Sequence, residues 1–64
     1  MTKNVLERLP KAVYDQLDTI RKDYKNRALR DETRAKLAGY VLGLRDAGLI
    51  SERERQILFV YGTV

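Results

Sequence analysis

The sequence predicts an all-α protein: a small three-helix bundle in which a helical hairpin is followed by a short C-terminal helix. One observation is a stripe of apolar residues spaced three or four apart, which is typical of one helix face: Leu6, Leu9, Val13, Leu17, Ile20 and Tyr24. A second is Gly48, a glycine placed where a helix would end. A third is a capping motif that begins at Ser51. Together they predict one helical domain, 1–64, with helices over 10–26, 31–47 and 52–61.

The first predicted helix begins at Pro10, because proline is tolerated in a first helical turn, where its missing N–H has no partner to lose. Its apolar stripe continues to Tyr24 and places that side chain at the edge of the core. Asn4 and Glu7 have the spacing of a capping box, so a further helical turn is predicted before the proline.

The second predicted helix begins at Asp31, since aspartate is a favourable N-cap residue. Its end is predicted by "LRDAGLI". If Gly48 takes the left-handed conformation there, Leu44 and Leu49 occupy the two positions that make the hydrophobic contact of a Schellman motif. The third helix then begins at Ser51, which has a glutamate three residues later, as a capping box requires.

The second helix carries a small residue at every fourth position: Ala35, Gly39, Gly43 and Ala47, with Leu42 and Leu44 beside them. A glycine inside a helix costs about 1 kcal/mol relative to alanine. Two of them indicate a groove in which another helix approaches closely. Either the first helix fills this groove within one chain or a second copy covers it. Because so short a chain buries only about 60% of its surface, we expect a homodimer.

Composition excludes several classes of function. The sequence has no cysteine and no histidine, so disulfides, ordinary transition-metal sites and Ser–His or Cys–His pairs are absent. The nine carboxylates lie in charge-alternating, helix-like contexts. We therefore expect no catalytic site, no metal and no cofactor. The apolar runs are far shorter than the ~20 residues that span a bilayer, and no signal peptide is visible, so a cytoplasmic protein without membrane contact is expected.

The positive charge is confined to one segment. Residues 1–20 and 37–64 each contain three basic and three acidic side chains, whereas residues 21–36 contain seven basic and three acidic ones. This segment therefore accounts for the whole net charge of +4. A basic segment between neutral flanks indicates an anion-binding surface. The candidate phosphate contacts are Arg21, Lys22, Lys25, Arg27, Arg30, Arg34 and Lys36.

The predicted function is that of a small nucleic-acid-associated regulatory or accessory protein, of the bacterial cytoplasm or a mobile element. Its basic segment would contact the phosphate backbone and supply affinity more than sequence choice. An antiparallel hairpin would gather these side chains at one end of the molecule. Two alternatives stay open: a protein-binding adaptor or inhibitor that uses the apolar segment "ILFVY", or charges that serve solubility alone.

Two segments resemble DNA-binding families. "ISERERQILFVYG" is similar to the opening of the DNA-binding domains of LuxR-type regulators and sigma factors, which implies that Ser51 caps a helix. "VLERLPKAVYDQLDTI" looks like the start of a ribbon-helix-helix repressor, a dimer that inserts paired strands into the major groove. That second resemblance implies a strand before Pro10 in which Leu6 and Arg8 face the bases. It makes a ribbon-helix-helix fold the alternative to the helical bundle.

Overall fold

The computed structural model describes residues 2–64, with the side chains of residues 4–64. Four α-helices follow one another along the chain: α1 (Thr2–Arg8), α2 (Lys11–Lys25), α3 (Arg30–Asp46) and α4 (Glu52–Gly62). A short 3-10 turn, Arg27–Leu29, joins α2 to α3. Residues 2–64 form no strand, so the all-α prediction is confirmed. The bounds of α2, α3 and α4 differ by at most one residue from those predicted.

Residues 2–8 form a helix of their own, so the described part of the chain, 2–64, has four α-helices where three were predicted. Helix α1 occupies the place of the strand that the ribbon-helix-helix resemblance implied, and that alternative fold is therefore wrong. Asn4 lies inside α1 and not at its N-cap. The helix packs against α4. It is stabilised there because Val5 is buried in the core, together with Leu9 just after the helix end.

The core lies where α2, α3 and α4 meet. Helices α2 and α3 pack against each other as a hairpin, and α4 packs against both. Burial of a leucine or isoleucine side chain contributes about 1.5–3 kcal/mol, so these contacts account for most of the driving force for folding. The side chains that are completely buried are Leu17 and Ile20 of α2, Leu37 and Val41 of α3, and Leu58 of α4.

The closest approach between two helices that involves a glycine is at Gly62, the last residue of α4. A Cβ atom at this position would lie 3.1 Å from Cδ1 of Leu37 and closer still to Cδ2. Leu37 is completely buried and cannot move aside freely. The glycine that allows close packing against a neighbouring helix is therefore Gly62, at the end of α4. The sequence pattern did not indicate this position.

The end of α3 is the predicted Schellman motif. Gly48 has a φ of 79°, a left-handed conformation that favours glycine. The N–H of Leu49 donates to the carbonyl of Leu44 at 3.0 Å, and the N–H of Gly48 donates to the carbonyl of Arg45 at 2.9 Å. These are the two hydrogen bonds that define the motif, so this prediction is confirmed.

The start of α4 is the predicted capping box. The backbone N–H of Glu54 donates to the Ser51 hydroxyl at 3.1 Å, and the backbone N–H of Ser51 donates to the Glu54 carboxylate at 2.8 Å. Two N–H groups that would otherwise lack a helical partner are thus satisfied. The cap that the sequence predicted at Ser51 is confirmed.

The start of α3 differs from its prediction. The 3-10 turn Arg27–Leu29 leads directly into the helix, and the N–H of Arg30 donates to the first carbonyl of that turn. Asp31 consequently lies in the first helical turn instead of at the N-cap. The capping side chain here is Asn26, which accepts a backbone hydrogen bond inside the 3-10 turn at 3.0 Å. Asp31 still stabilises the positive end of the helix dipole.

Glu54 also connects α4 to α1. Its carboxylate forms an ion pair with Arg8, and the same arginine donates from Nη1 to the carbonyl of Leu49 at 3.2 Å. The pKa of Glu54 is lowered below its ordinary value, first by the hydrogen bond from the Ser51 backbone and then by Arg8. Both contacts favour the ionised carboxylate, because each places a donor or a positive charge beside it.

This lowered pKa predicts a loss of stability in acid. The unfolded chain, in which Glu54 has an ordinary pKa near 4.5, takes up its proton before the folded chain does. The stabilisation is therefore fully present above pH 4.5 and is lost as the pH falls through the lower, folded pKa. We expect the Tm to fall less steeply below pH 4.5 in Glu54→Gln, which keeps the cap hydrogen bonds but has no charge. Identical slopes in thermal unfolding of the two proteins would contradict this.

Candidate nucleic-acid interface

Tyr24, near the end of α2, brings two arginines of α3 together. Nη2 of Arg34 donates to the Tyr24 hydroxyl at 2.8 Å. The guanidinium carbons of Arg30 and Arg34 lie 5.3 and 5.9 Å from the centroid of the tyrosine ring, within the range of cation–π attraction. Arg30 also donates from Nε to the Tyr24 carbonyl at 3.3 Å. The ring thus holds two cations side by side at one end of the hairpin.

Lys25 and Arg27 belong to the same end of the hairpin, since they lie at the end of α2 and in the 3-10 turn that follows. We call Lys25, Arg27, Arg30 and Arg34, with Tyr24 between the two helices, the basic corner. All four cationic residues are exposed. None of them forms an ion pair with a carboxylate among residues 4–64. The corner therefore presents four positive charges to solvent, although Asp31 lies near enough to Arg34 to attract it electrostatically.

Tyr24 has a different role from the one its place in the apolar stripe indicated. It is half-buried and contacts the arginines of α3 instead of joining the side chains packed against the core. The hydrogen bond from Arg34 to Tyr24 raises the pKa of that guanidinium. Arginine is charged at every physiological pH. The tyrosine therefore orients the two cations and leaves their charge intact.

The other three basic residues of the predicted set differ in their surroundings. Lys36 is exposed and has no ion-pair partner among the described side chains. Lys22 pairs with Asp18, one helical turn earlier, at 3.3 Å, with side chains that are 76% and 40% exposed, respectively. Exposed pairs of this kind are worth at most about 1 kcal/mol, so Lys22 stays available to a phosphate.

Arg21 contacts helix α4 and not the basic corner. Its guanidinium carbon lies 4.6 Å from the ring centroid of Tyr61 in α4. Its Nε atom is buried and has no hydrogen-bond partner within the described part of the chain. Arg21 therefore belongs to the contact between α2 and α4, and we leave it out of the basic corner.

The small-residue stripe of α3 faces away from the rest of the chain. Ala35, Gly39, Gly43 and Ala47 are all exposed, and a Cβ atom on either glycine would meet no atom within 4 Å apart from its chain neighbours and the nearby backbone of its own helix. The expectation that the first helix fills this groove within one chain is therefore wrong. Leu37 and Val41, two of the buried residues of α3, each precede one of the glycines by two positions, which is about 200° around the helix axis and close to its opposite side.

The two leucines named with the stripe have different positions. Leu42 is 41% exposed and lies on the same open side of α3 as the glycines. Leu44 is 7% exposed and is part of the core, so it is not available to a second copy. Whether a second copy covers the open side of α3 stays a prediction.

The open space around Gly43 makes its replacement by alanine a stabilising change. Alanine favours a helix interior over glycine by about 1 kcal/mol, and the added methyl group meets no neighbour in the chain. We expect Gly43→Ala to raise the free energy of unfolding by about 0.5–1 kcal/mol in a denaturant titration. A decrease would show that something packs on this glycine.

An apolar groove lies beside the C-terminal end of α4. It has a volume of about 620 Å³ and is lined by Leu6, Glu7, Tyr14, Arg21, Val60, Tyr61 and Val64. Sequence reasoning pointed to the segment from Ile57 to Tyr61 as an apolar surface but missed Leu6 and Tyr14. These two residues come from α1 and α2, and only the packing of those helices against α4 reveals that they join it.

Several other kinds of site find no support in the described residues. The side chains of residues 4–64 include no group of three carboxylates, histidines or cysteines placed to hold a metal ion. No helix within residues 2–64 is long and apolar enough to cross a membrane. Among the described residues, the basic corner and the apolar groove are two surfaces whose chemistry points to a binding partner.

Comparison with known protein families, with curated proteins and with solved structures finds no match for this chain. The resemblance of the segment after Ser51 to LuxR-type regulators and sigma factors is thus limited to the helix cap, which the structure shows. Any assignment of function depends on the chemistry of the molecule's own surfaces.

Proposed function

We propose that this protein is a small nucleic-acid-binding regulatory or accessory protein, and that the basic corner contacts the phosphate backbone without catalysis. The single observation that carries the proposal is the arrangement around Tyr24. Two arginines are held side by side on one aromatic ring, beside two further cations, and no carboxylate pairs with any of the four. Arrays of free lysine and arginine side chains are what phosphate contacts require.

The local charge supports the same proposal. The segment 21–36 contains the whole excess of positive charge, and it folds around the corner between α2 and α3. Arginine can donate two parallel hydrogen bonds to one phosphate, which a lysine cannot do. Arg30 and Arg34 retain free N–H donors beyond those that contact Tyr24. They are therefore suited to donate hydrogen bonds to a phosphate while the tyrosine holds their orientation.

We also propose that the protein acts as a homodimer in the cytoplasm. A chain of 64 residues with one small core gains stability from a partner subunit. A two-fold axis would present two basic corners to one nucleic acid and double the number of phosphate contacts. The open side of α3 and the apolar groove are the two surfaces that a second copy could cover.

The test is the salt dependence of binding to a fluorescently labelled duplex DNA of random sequence, measured by anisotropy. Each phosphate contact contributes about −0.9 to the slope of log K against log salt concentration. Four corner cations predict a slope of about −4 for one chain and about twice that for a dimer. The same titration with a labelled RNA compares the affinities for the two nucleic acids. An affinity that does not change with salt concentration would overturn the proposal.

The protein-binding alternative also has one observation in its favour. Val60 and Val64 are 60% and 66% exposed beside the apolar groove, and large exposed apolar side chains mark interaction surfaces. A protein partner that buries these apolar side chains would respond to salt much less than a nucleic acid does, since no condensed phosphate counterions are released. The salt titration therefore separates the two functions.

A further inference from the structure

The apolar groove carries one positive and one negative side chain, and neither has an ion-pair partner among the described residues. Arg21 lies at the groove with its guanidinium against Tyr61. Glu7 lines the same groove and is exposed. Burying either charge under a partner without an opposite charge beside it would be costly. A partner that covers this groove must therefore bring both an anion and a cation.

The remaining groove residues are apolar and protrude. Val60 and Val64 are more than half exposed, and Tyr14 is 41% exposed. Leu6 and Tyr61 are half-buried and line the same groove between them. The protruding side chains at the border of one such groove can enter the depression of an identical groove that faces it across a two-fold axis. Aromatic residues such as Tyr14 are also enriched at the centres of protein interfaces.

We propose that the occupant of the apolar groove is the same groove of a second copy of this chain. In a two-fold dimer the same patch meets itself, so each residue pair occurs twice. Glu7 of one protomer would then meet Arg21 of its partner, and the reciprocal pair forms across the axis. A purely acidic or purely basic peptide would match only one of the two charges. The second copy matches both.

The open side of α3 is a weaker surface for a dimer. Leu42 is the one large apolar side chain that it exposes, and the rest of the stripe consists of small residues. A stable interface buries about 800 Å² per partner. The whole chain exposes 4282 Å², so the interface must cover about a fifth of the surface. The large apolar side chains around the groove supply more buried area than the flat side of α3.

The test is the molar mass in solution, by sedimentation equilibrium without nucleic acid, of two charge-reversed variants. We expect the natural chain to sediment as a dimer, at twice the 7.4 kDa of one chain. Glu7→Arg places two arginines opposite each other, and Arg21→Glu places two glutamates opposite each other. Each variant alone should show a dimer dissociation constant raised about tenfold or more. An equimolar mixture should recover the natural constant, because both pairs are then of opposite charge.

Two further variants keep the proposal falsifiable if Arg21→Glu fails to fold, as circular dichroism would show. Val60→Asp changes a residue that is 60% exposed and should leave the fold intact while abolishing the dimer. Gly43→Leu alters the open side of α3 alone and should dimerise as the natural chain does. A natural chain that is monomeric, or a Val60→Asp variant that remains dimeric, would overturn the proposal. Loss of the dimer in Gly43→Leu alone would place the second copy on α3.

This inference rests on the dimer in the proposed function and is independent of nucleic-acid binding. The sedimentation measurement is made on the protein alone, so it can fail while the basic corner still binds DNA. The converse also holds. A dimer that responds to charge reversal at Glu7 and Arg21 would stand even if the salt titration showed no phosphate contacts.

Discussion

The variant in which Arg27, Arg30 and Arg34 are all replaced by alanine is expected to bind duplex DNA about a thousandfold more weakly than the natural chain. Each lost phosphate contact forfeits about tenfold in affinity near 0.1 M salt, because the counterions that it would have released stay bound. The slope of log K against log salt concentration should become shallower by about 2.7 per chain. Anisotropy titrations of the same labelled duplex measure both quantities.

The matched control replaces Lys11, Arg45 and Arg53, which lie outside residues 21–36, with alanine. It removes the same number of positive charges from other parts of the surface. We expect the control to retain most of the affinity, since general attraction by net charge is weaker than direct phosphate contact. Equal losses in the two variants would show that net charge, and not the basic corner, determines binding. Circular dichroism should show unchanged helicity in both.

Replacement of Gly62 with valine is expected to destabilise the fold by about 1–3 kcal/mol, the usual cost of overpacking a core. The added side chain would overlap Leu37, which is completely buried and surrounded by other helices. A small domain has about 0.05–0.15 kcal/mol of stability per residue, so a loss of this size is a large part of the total. The denaturant midpoint measures the change.

Gly43→Val is the matched control for Gly62→Val, since it adds the same side chain to a glycine in an open part of a helix. Apart from its chain neighbours and the nearby backbone of its own helix, no atom lies within 4 Å of a Cβ atom at Gly43. Gly48 is the glycine of the described chain with a positive φ, so neither Gly43 nor Gly62 needs glycine for its backbone conformation. Only the space around each residue differs. A midpoint that moves equally in the two variants would contradict the packing at Gly62.

The helix ends could be predicted from sequence because they depend on local chemistry. The Schellman motif at Gly48 and the capping box at Ser51 each involve residues within a few positions of one another. The start of α3 could not be predicted in the same way. There the 3-10 turn leads directly into the helix, and the capping side chain is Asn26, five residues before Asp31.

The orientation of α3 was harder to predict, although the spacing contained the information. Leu37, Val41 and Leu44 are three and four residues apart and define the buried side of the helix. Gly39 and Gly43 follow two residues after Leu37 and Val41, which places them on the opposite side. The cost of Gly39 and Gly43 to the helix indicated a close contact, but both residues lie at exposed positions. The constrained glycine is Gly62, and only the packing of α4 on α3 reveals it.

The sequence predicted which charged residues form the basic corner, but it did not predict the contacts between them. The charge of residues 21–36 was visible in the sequence, and so was the proximity that a hairpin would give them. The contacts from Tyr24 to Arg30 and Arg34 span six and ten residues and depend on how α2 and α3 meet. The groove depends on three helices at once, so its lining could not be assembled from any single segment.

The most direct measurement of the central claim is a two-dimensional NMR titration of the 15N-labelled protein with a short duplex DNA. If the basic corner contacts phosphate, the largest shift changes will fall on residues 24–34 and will disappear at high salt. Residues 60–64, beside the groove, will change little. Shift changes concentrated at the groove, or none at all at low salt, would contradict the account.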